Sequence, residues 1–236
     1  MATTMQLTRA WTGPALFSYG FRPFFLGAAV LAALLVGAWV PWLLGLVQVP
    51  SALPPVAWHQ HELLFGFVPA VMAGFLLTAV PNWTGRLPVV GRPLIGLVAL
   101  WIVGRVTLLV SLHLPAAAVA LASLAFPIAL VAVLAREILA GGNRRNLKVL
   151  VGVALLAIAQ AFFHAELARS GEVLIADKLA VAAILMLVMI IGGRIVPGFT
   201  TNWLRRAGHG RMPASFDRFD MAAIGQSCDL AIVNAG

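Results

Sequence analysis

The feature that most constrains this chain is a series of six long apolar segments separated by short polar connections. A bilayer core takes about 20 helical residues to cross. Six segments reach that length, near residues 24–47, 56–80, 93–112, 115–135, 147–168 and 173–197. Only 10% of the residues are charged, whereas soluble domains contain about 25%. The sequence therefore predicts an all-α fold: a polytopic transmembrane helical bundle of about six spans.

The basic residues predict the orientation of the bundle. Arginine and lysine occur in the N-terminal segment, in loops 81–92 and 136–148 and in the tail, whereas loops 48–55 and 113–114 contain none. The positive-inside rule places the basic connections in the cytoplasm, so we predict that both termini are cytoplasmic. This distribution also accounts for the net charge of +8. We therefore expect a lipid bilayer, and no nucleic acid, as the partner.

The chain divides into three predicted parts. Residues 1–20 form a cytoplasmic N-terminal segment, residues 21–198 the six-span transmembrane bundle, and residues 199–236 a polar, basic tail. The tail is too short and too polar after residue 221 to predict a seventh span. The single cysteine, Cys228, excludes an internal disulfide and a cysteine metal cluster.

Four of the five histidines fall on the predicted outer side of the bundle. They are His59 and His61 at the start of span two, His113 at the end of span three and His164 near the end of span five. Residues two apart on a helix differ by about 200° in direction, so His59 and His61 cannot share one face. A site between spans would take one imidazole from each helix.

Two readings of these histidines stay open. Imidazole binds a metal through one ring nitrogen while an acceptor holds the other N–H; Glu62 or Gln60 could be that acceptor on span two, and Gln160 lies one turn before His164 on span five. The alternative is that the histidines lie among lipid headgroups, where amphipathic side chains are common.

Other polar or small residues inside the spans predict helix contacts. Arg105 lies in the middle of span three, where a charge is costly, so it needs a partner such as Glu62 or Glu166. Small residues recur every four positions on span two, which predicts close packing against a neighbouring helix. Pro69 is predicted to kink the same span, and Arg194 to extend towards the cytoplasmic interface.

Several motifs resemble signatures of the NnrS family. They are FSYGFRPFF at 17–25, WHQHE at 58–62, LFG at 64–66, AGFLLTAVPNWTGR at 73–86 and GGRIVP at 192–197. Together they cover about residues 15–206. The resemblance implies a multi-pass protein of the bacterial inner membrane that carries haem b and copper and acts in the nitric oxide response. The resemblance implies a family whose members are about twice as long, with some twelve spans, so we expect this chain to be a six-span half, either truncated or frameshifted or a natural half.

Two functions follow as hypotheses. In the first, nitric oxide or a metal–nitrosyl species binds at an outer-face site. Its metal ligands are His59, His61 and His164, with His113, Arg22 and Arg105 as further cofactor-binding residues, Arg22 and Arg105 pairing with charges such as haem propionates. In the second, the chain is a half-size transporter or channel that forms a homodimer and has no redox cofactor. The sequence leaves open whether a substrate is turned over.

Overall fold

A computed structural model describes residues 11–142, 146–208, 210, 212–213 and 218–233. Within these ranges the regular structure is helical, and no strand occurs. Six helices are long and apolar enough to cross a membrane: α1 (Phe21–Leu43), α2 (Pro55–Thr84), α3 (Arg92–Leu109), α4 (Ala116–Ala140), α5 (Leu147–Ser170) and α6 (Ile175–Ala207). The predicted six-span, all-helical bundle is confirmed.

Three of the six spans end at a glycine with a left-handed backbone. Gly85, Gly171 and Gly208 follow α2, α5 and α6 with φ of 69°, 75° and 70°, a conformation that favours glycine at a helix end. The predicted ends at residues 80 and 197 are too early, because the helices continue through Pro81 and Pro197. A proline removes one backbone hydrogen bond but does not oblige a long buried helix to stop.

Most contacts in the bundle join helices that follow one another in the chain. Helix α1 packs on α2, α3 on α4, α4 on α5, and α5 on α6, while α2 also packs on α4. The last contact brings span two against the middle of the bundle. The core between these helices is apolar and aromatic, and Phe24 of α1 meets Phe126 of α4 with ring centroids 5.5 Å apart.

The tail contains a further helix. The residues after 198 extend α6 to Ala207, and α7 (Arg218–Val233) packs back on α6. With 16 residues, α7 is shorter than the roughly 20 needed for a span. Four arginines of the predicted cytoplasmic segments, Arg9, Arg144, Arg145 and Arg211, lie outside the described residues, as does the fifth histidine, His209.

Span two is irregular near its outer end. Between the α-helical segments Pro55–His61 and Val68–Thr84, residues Glu62–Phe67 form a π-helical turn. Val68 N–H donates to the carbonyl of Leu63, five residues earlier. Pro69 has no N–H to continue the regular pattern, which explains a distortion just before it. π-Helical turns are frequent at functional sites.

The small residues of span two pack against other helices of the same chain. Ala70 is fully buried, and a Cβ at Gly74 would lie 2.6 Å from Cδ1 of Phe25 on α1. Real Cβ atoms do not approach that closely. The predicted packing of this face against neighbouring helices is therefore confirmed, and glycine at position 74 lets α1 and α2 approach.

We expect Gly74→Ala to lower the free energy of unfolding by about 1–3 kcal/mol, the usual cost of overpacking a close contact. The measurement is thermal or denaturant unfolding of the detergent-purified protein. Gly37→Ala on α1 is the matched control, because its Cβ meets no atom within 4 Å. Equal effects of the two substitutions would contradict a tight α1–α2 contact at residue 74.

Candidate functional site

The outer part of span two buries one of its two histidines completely. Helix α2 begins with Pro55 in its first turn, where the missing N–H of proline costs nothing. His61 is 0% exposed, and Glu62 beside it is 1% exposed. His59 is half-buried. The two imidazoles point to different surroundings, as their helical spacing predicts.

His61 lies against helices α4 and α5. Its Nδ1 is 3.3 Å from Oε1 of Glu62, and its Nε2 is 3.4 Å from Oγ of Ser123 on α4. Its ring meets that of His164 on α5 at a centroid distance of 5.3 Å. The structure therefore brings together one imidazole from span two and one from span five.

Aromatic rings enclose this pair of histidines. The ring of Phe163 lies 4.9 Å from that of His61, and the ring of Phe65 lies 5.3 Å from it on the same helix as His61. Both phenylalanines are essentially unexposed. The two phenylalanines thus enclose the fully buried His61, whereas His164 is half-buried.

One ring nitrogen of His164 has no hydrogen-bond partner. Nε2 of His164 is buried, and no described residue bonds to it. A buried polar atom without a partner costs free energy and requires an explanation, such as a ligand. His164 therefore offers a free nitrogen beside His61.

Gln160, one turn before His164, holds Ser123 rather than either histidine. Its Nε2 donates to Oγ of Ser123 at 2.7 Å and to the carbonyl oxygen of Ser123 at 3.1 Å. Gln160 and Ser123 are each 1% exposed. The predicted role of Gln160 beside the site is thus indirect, through a residue of α4.

Arg105 finds its partner on span two. Its Nη1 donates to Oε1 of Glu62 at 2.8 Å, and the two side chains are 11% and 2% exposed. Gly66 makes room for this pair, since a Cβ there would collide with Nη1 of Arg105. The π-helical turn contributes a further contact: the carbonyl of Gly66 accepts a hydrogen bond from Nε1 of Trp101 at 3.0 Å.

Three of the predicted site residues lie elsewhere. His59 stacks on Trp39 of α1, with ring centroids 4.1 Å apart and an interplanar angle of 22°. His113 is exposed, at the end of a short 3₁₀ turn after α3. Arg22 donates to the carbonyl of Ala15 at 2.9 Å. Arg22 lies in the first turn of α1, seventeen residues before Trp39. That is about 25 Å along a helix, so Arg22 is far from the Trp39–His59 stack.

Two other predicted polar residues have structural roles. Glu166 does not pair with Arg105; its carboxylate accepts from the backbone N–H groups of Leu174, Ile175 and Ala176, where α6 begins. Nη1 of Arg194 donates to Oδ1 of Asn146 at 2.9 Å, and its guanidinium lies 4.6 Å from the centroid of Trp83. The side chain of Arg194 therefore has partners within the protein, Asn146 and Trp83.

Sequence reasoning missed Ser123, Phe163 and Trp39 as neighbours of the histidines. Ser123 is the one polar residue among residues 116–135 of span four, and that isolation is the signal that could have found it. For the two aromatic residues the sequence has no comparable signal, because rings are common in apolar helices.

The separation of the two histidine rings leaves no room for a haem between them. Imidazole nitrogens bind first-row metals at about 2.0 Å, so two ligating rings at a tetrahedral angle have centroids about 5 Å apart. The observed 5.3 Å is near that value, and it is also an ordinary separation for two packed rings. Two axial imidazoles of one haem would stand about 6 Å apart with the porphyrin between them, whereas these rings are in edge-to-face contact.

Two histidines do not complete a metal site alone. Within the described residues, no group of three or more His, Cys, Asp or Glu side chains has an arrangement suited to a metal ion. A metal at the pair would complete its coordination with small molecules, which is the arrangement of a binding site open to a ligand.

The fold and this cluster define a polytopic helical membrane protein with a buried, charged and histidine-containing site between spans two, three, four and five. The chain belongs to the NnrS family, whose profile, described as "NnrS protein", matches residues 15–235. The match continues beyond residue 206, where the quoted motifs end, and includes helix α7. No match was found among curated proteins or among solved structures.

Breaking the ion pair should cost more than removing it. We expect Glu62→Gln and Arg105→Met each to destabilise the protein by about 3–5 kcal/mol, because each leaves one buried charge without its counter-charge. The double variant should be less destabilised than either single variant. Denaturant unfolding in detergent measures all three. Additive losses would show that the two side chains do not interact.

Proposed function

We propose that this protein is a metal-binding protein of the bacterial inner membrane that acts in the nitric oxide response. Membership of the NnrS family supports the role in that response. The observation that carries the metal site is the contact of His61 and His164 beside the unpartnered Nε2 of His164. Imidazole binds several first-row metals, and copper is the one that the family suggests.

The chain's own residues would divide the work of this site. His61 and His164 supply one ring nitrogen each. Glu62 accepts the N–H of His61 and fixes the direction of that ring, as carboxylates do beside metal-binding histidines. Arg105 balances the charge of Glu62, so the buried carboxylate does not itself require a cation.

The bound metal supplies a centre to which nitric oxide can attach. Phe65 and Phe163 exclude water from His61, which favours a small, weakly polar ligand over bulk solvent. The haem b implied by the family would not lie between His61 and His164, since their rings are too close. We therefore derive no step through haem.

The transporter hypothesis loses two of the features that motivated it. The small-residue face of span two is covered by α1 and α3 within the chain, and Arg105 is paired with Glu62. Neither feature now requires a second copy or a permeating substrate. No described contact favours a pathway through the bundle over a closed site.

Copper titration of the detergent-purified protein tests the site. Electron paramagnetic resonance of the Cu²⁺-loaded protein should show two nitrogen ligands. His164→Ala should remove one of them and weaken binding by at least about 100-fold, since even residues that only support a ligand cost 10- to 100-fold. Nitric oxide added to the wild-type complex should change its spectrum.

His113→Ala is the matched control for this titration, because His113 is an exposed histidine on the same predicted side. Its copper affinity and nitrogen count should equal those of the wild type. A wild-type protein that binds no copper, or a His113→Ala variant as impaired as His164→Ala, would overturn the proposed site.

The proposed orientation is tested by cysteine labelling in intact cells. In a Cys228→Ser background, Leu112→Cys should react with a membrane-impermeant maleimide, because it is 62% exposed on the predicted outer side. Met212→Cys, 42% exposed in the tail, should react only after permeabilisation. The reverse pattern would place the histidine pair on the cytoplasmic side.

A further inference from the structure

The hydrogen bonds of Gln160 determine the direction of the Ser123 hydroxyl. The carbonyl oxygen of Ser123 can only accept, so the group of Gln160 that faces it is the NH₂ and not the oxygen. The same NH₂ donates to Oγ of Ser123 at 2.7 Å. Oγ thus accepts from Gln160 and keeps its own hydrogen to donate. Nε2 of His61, at 3.4 Å, is the neighbour that can receive it.

This arrangement selects one tautomer of His61. If Nε2 accepts from Ser123, the ring hydrogen is on Nδ1. Nδ1 faces Oε1 of Glu62 at 3.3 Å, and a carboxylate oxygen accepts that hydrogen. Arg105 holds the same oxygen at 2.8 Å. Glu62, an acceptor beside Nδ1, and Ser123, a donor beside Nε2, therefore both favour the His61 tautomer with its hydrogen on Nδ1.

The nitrogen that Ser123 covers is the one that a metal would use. With its hydrogen on Nδ1, His61 has its lone pair on Nε2, and metals bind the lone pair of neutral imidazole. His164, whose ring is in contact with that of His61, already has an unpartnered nitrogen. Nε2 of His164 therefore has no hydrogen-bond partner, whereas Nε2 of His61 accepts a hydrogen bond from Ser123.

We propose that Ser123 is a positioning residue that closes the Nε2 lone pair of His61 until a metal occupies the site. The inference rests on the proposed copper site and adds its order of assembly: His164 binds first, and His61 joins when Ser123 gives up its hydrogen bond. The N–H of His61 stays on Glu62, so the ring need not turn over. At 3.4 Å the bond to Ser123 is long and hence weak, which makes its release cheap.

Two measurements on the full chain in detergent test this proposal. In the metal-free protein with ¹⁵N-labelled histidine, nuclear magnetic resonance should show His61 with its hydrogen on Nδ1 and with a hydrogen-bonded Nε2. Ser123→Ala should keep the hydrogen on Nδ1 and shift the Nε2 signal towards that of a free imidazole nitrogen. Titration with Cu²⁺ should then show about two- to fivefold tighter binding, the equivalent of one weak neutral hydrogen bond.

Two further variants separate this role from a loss of packing. Ser123→Thr keeps a hydroxyl and should retain the wild-type Nε2 signal and copper affinity. Ser111→Ala removes another buried serine, 3% exposed, whose Oγ bonds to the backbone N of Ala52. It should leave both readouts of His61 unchanged.

The possible failures are distinguishable. If the wild type binds copper but Ser123→Ala binds it equally or more weakly, the closing role of Ser123 is wrong and the copper site stands. If His61 carries its hydrogen on Nε2 in the metal-free protein, the proposed tautomer and the role of Ser123 are both wrong. If no variant binds copper, the proposed site fails and the order of assembly fails with it.

Discussion

The ion pair between Arg105 and Glu62 is the interaction on which the inner part of this bundle depends. An unpaired arginine within a transmembrane span is costly, and Arg105 lies one turn before the end of α3. The chain meets this cost with a carboxylate on another span, 2.8 Å away and almost unexposed. Spans two and three must therefore stay in register, and the π-helical turn and Gly66 provide the room for the pair.

The ion pair continues into a chain of polar contacts across four spans. Glu62 is adjacent to His61, His61 to Ser123, and Ser123 to Gln160. His61, Glu62, Ser123 and Gln160 are all buried. Within a bilayer, no water is present to bond to an unsatisfied polar group. Such a network is favourable only when its donors and acceptors match. Two nitrogens beside this network, Nε2 of His164 and Nε of Arg105, have no hydrogen-bond partner among the described residues.

Much of the fold follows from the sequence because hydropathy and length are local properties. The six spans, the packed small-residue face of span two and the need of Arg105 for a partner were all predicted from residue type and spacing. The helices of spans two and six run past the predicted ends, since Pro81 and Pro197 lie inside helices. A proline changes one hydrogen bond, whereas the rest of each helix has its own bonds and neighbours.

The sequence by itself determined that His59 and His61 point apart, because helix periodicity fixes the angle between them. It did not determine which of the two enters the bundle or what it meets there. Packing of α2 on α4 places His61 beside Ser123 and His164, while the stack on Trp39 takes His59 to α1. Only the tertiary structure decides these partners, since they come from helices that the chain brings together through packing and not through sequence spacing.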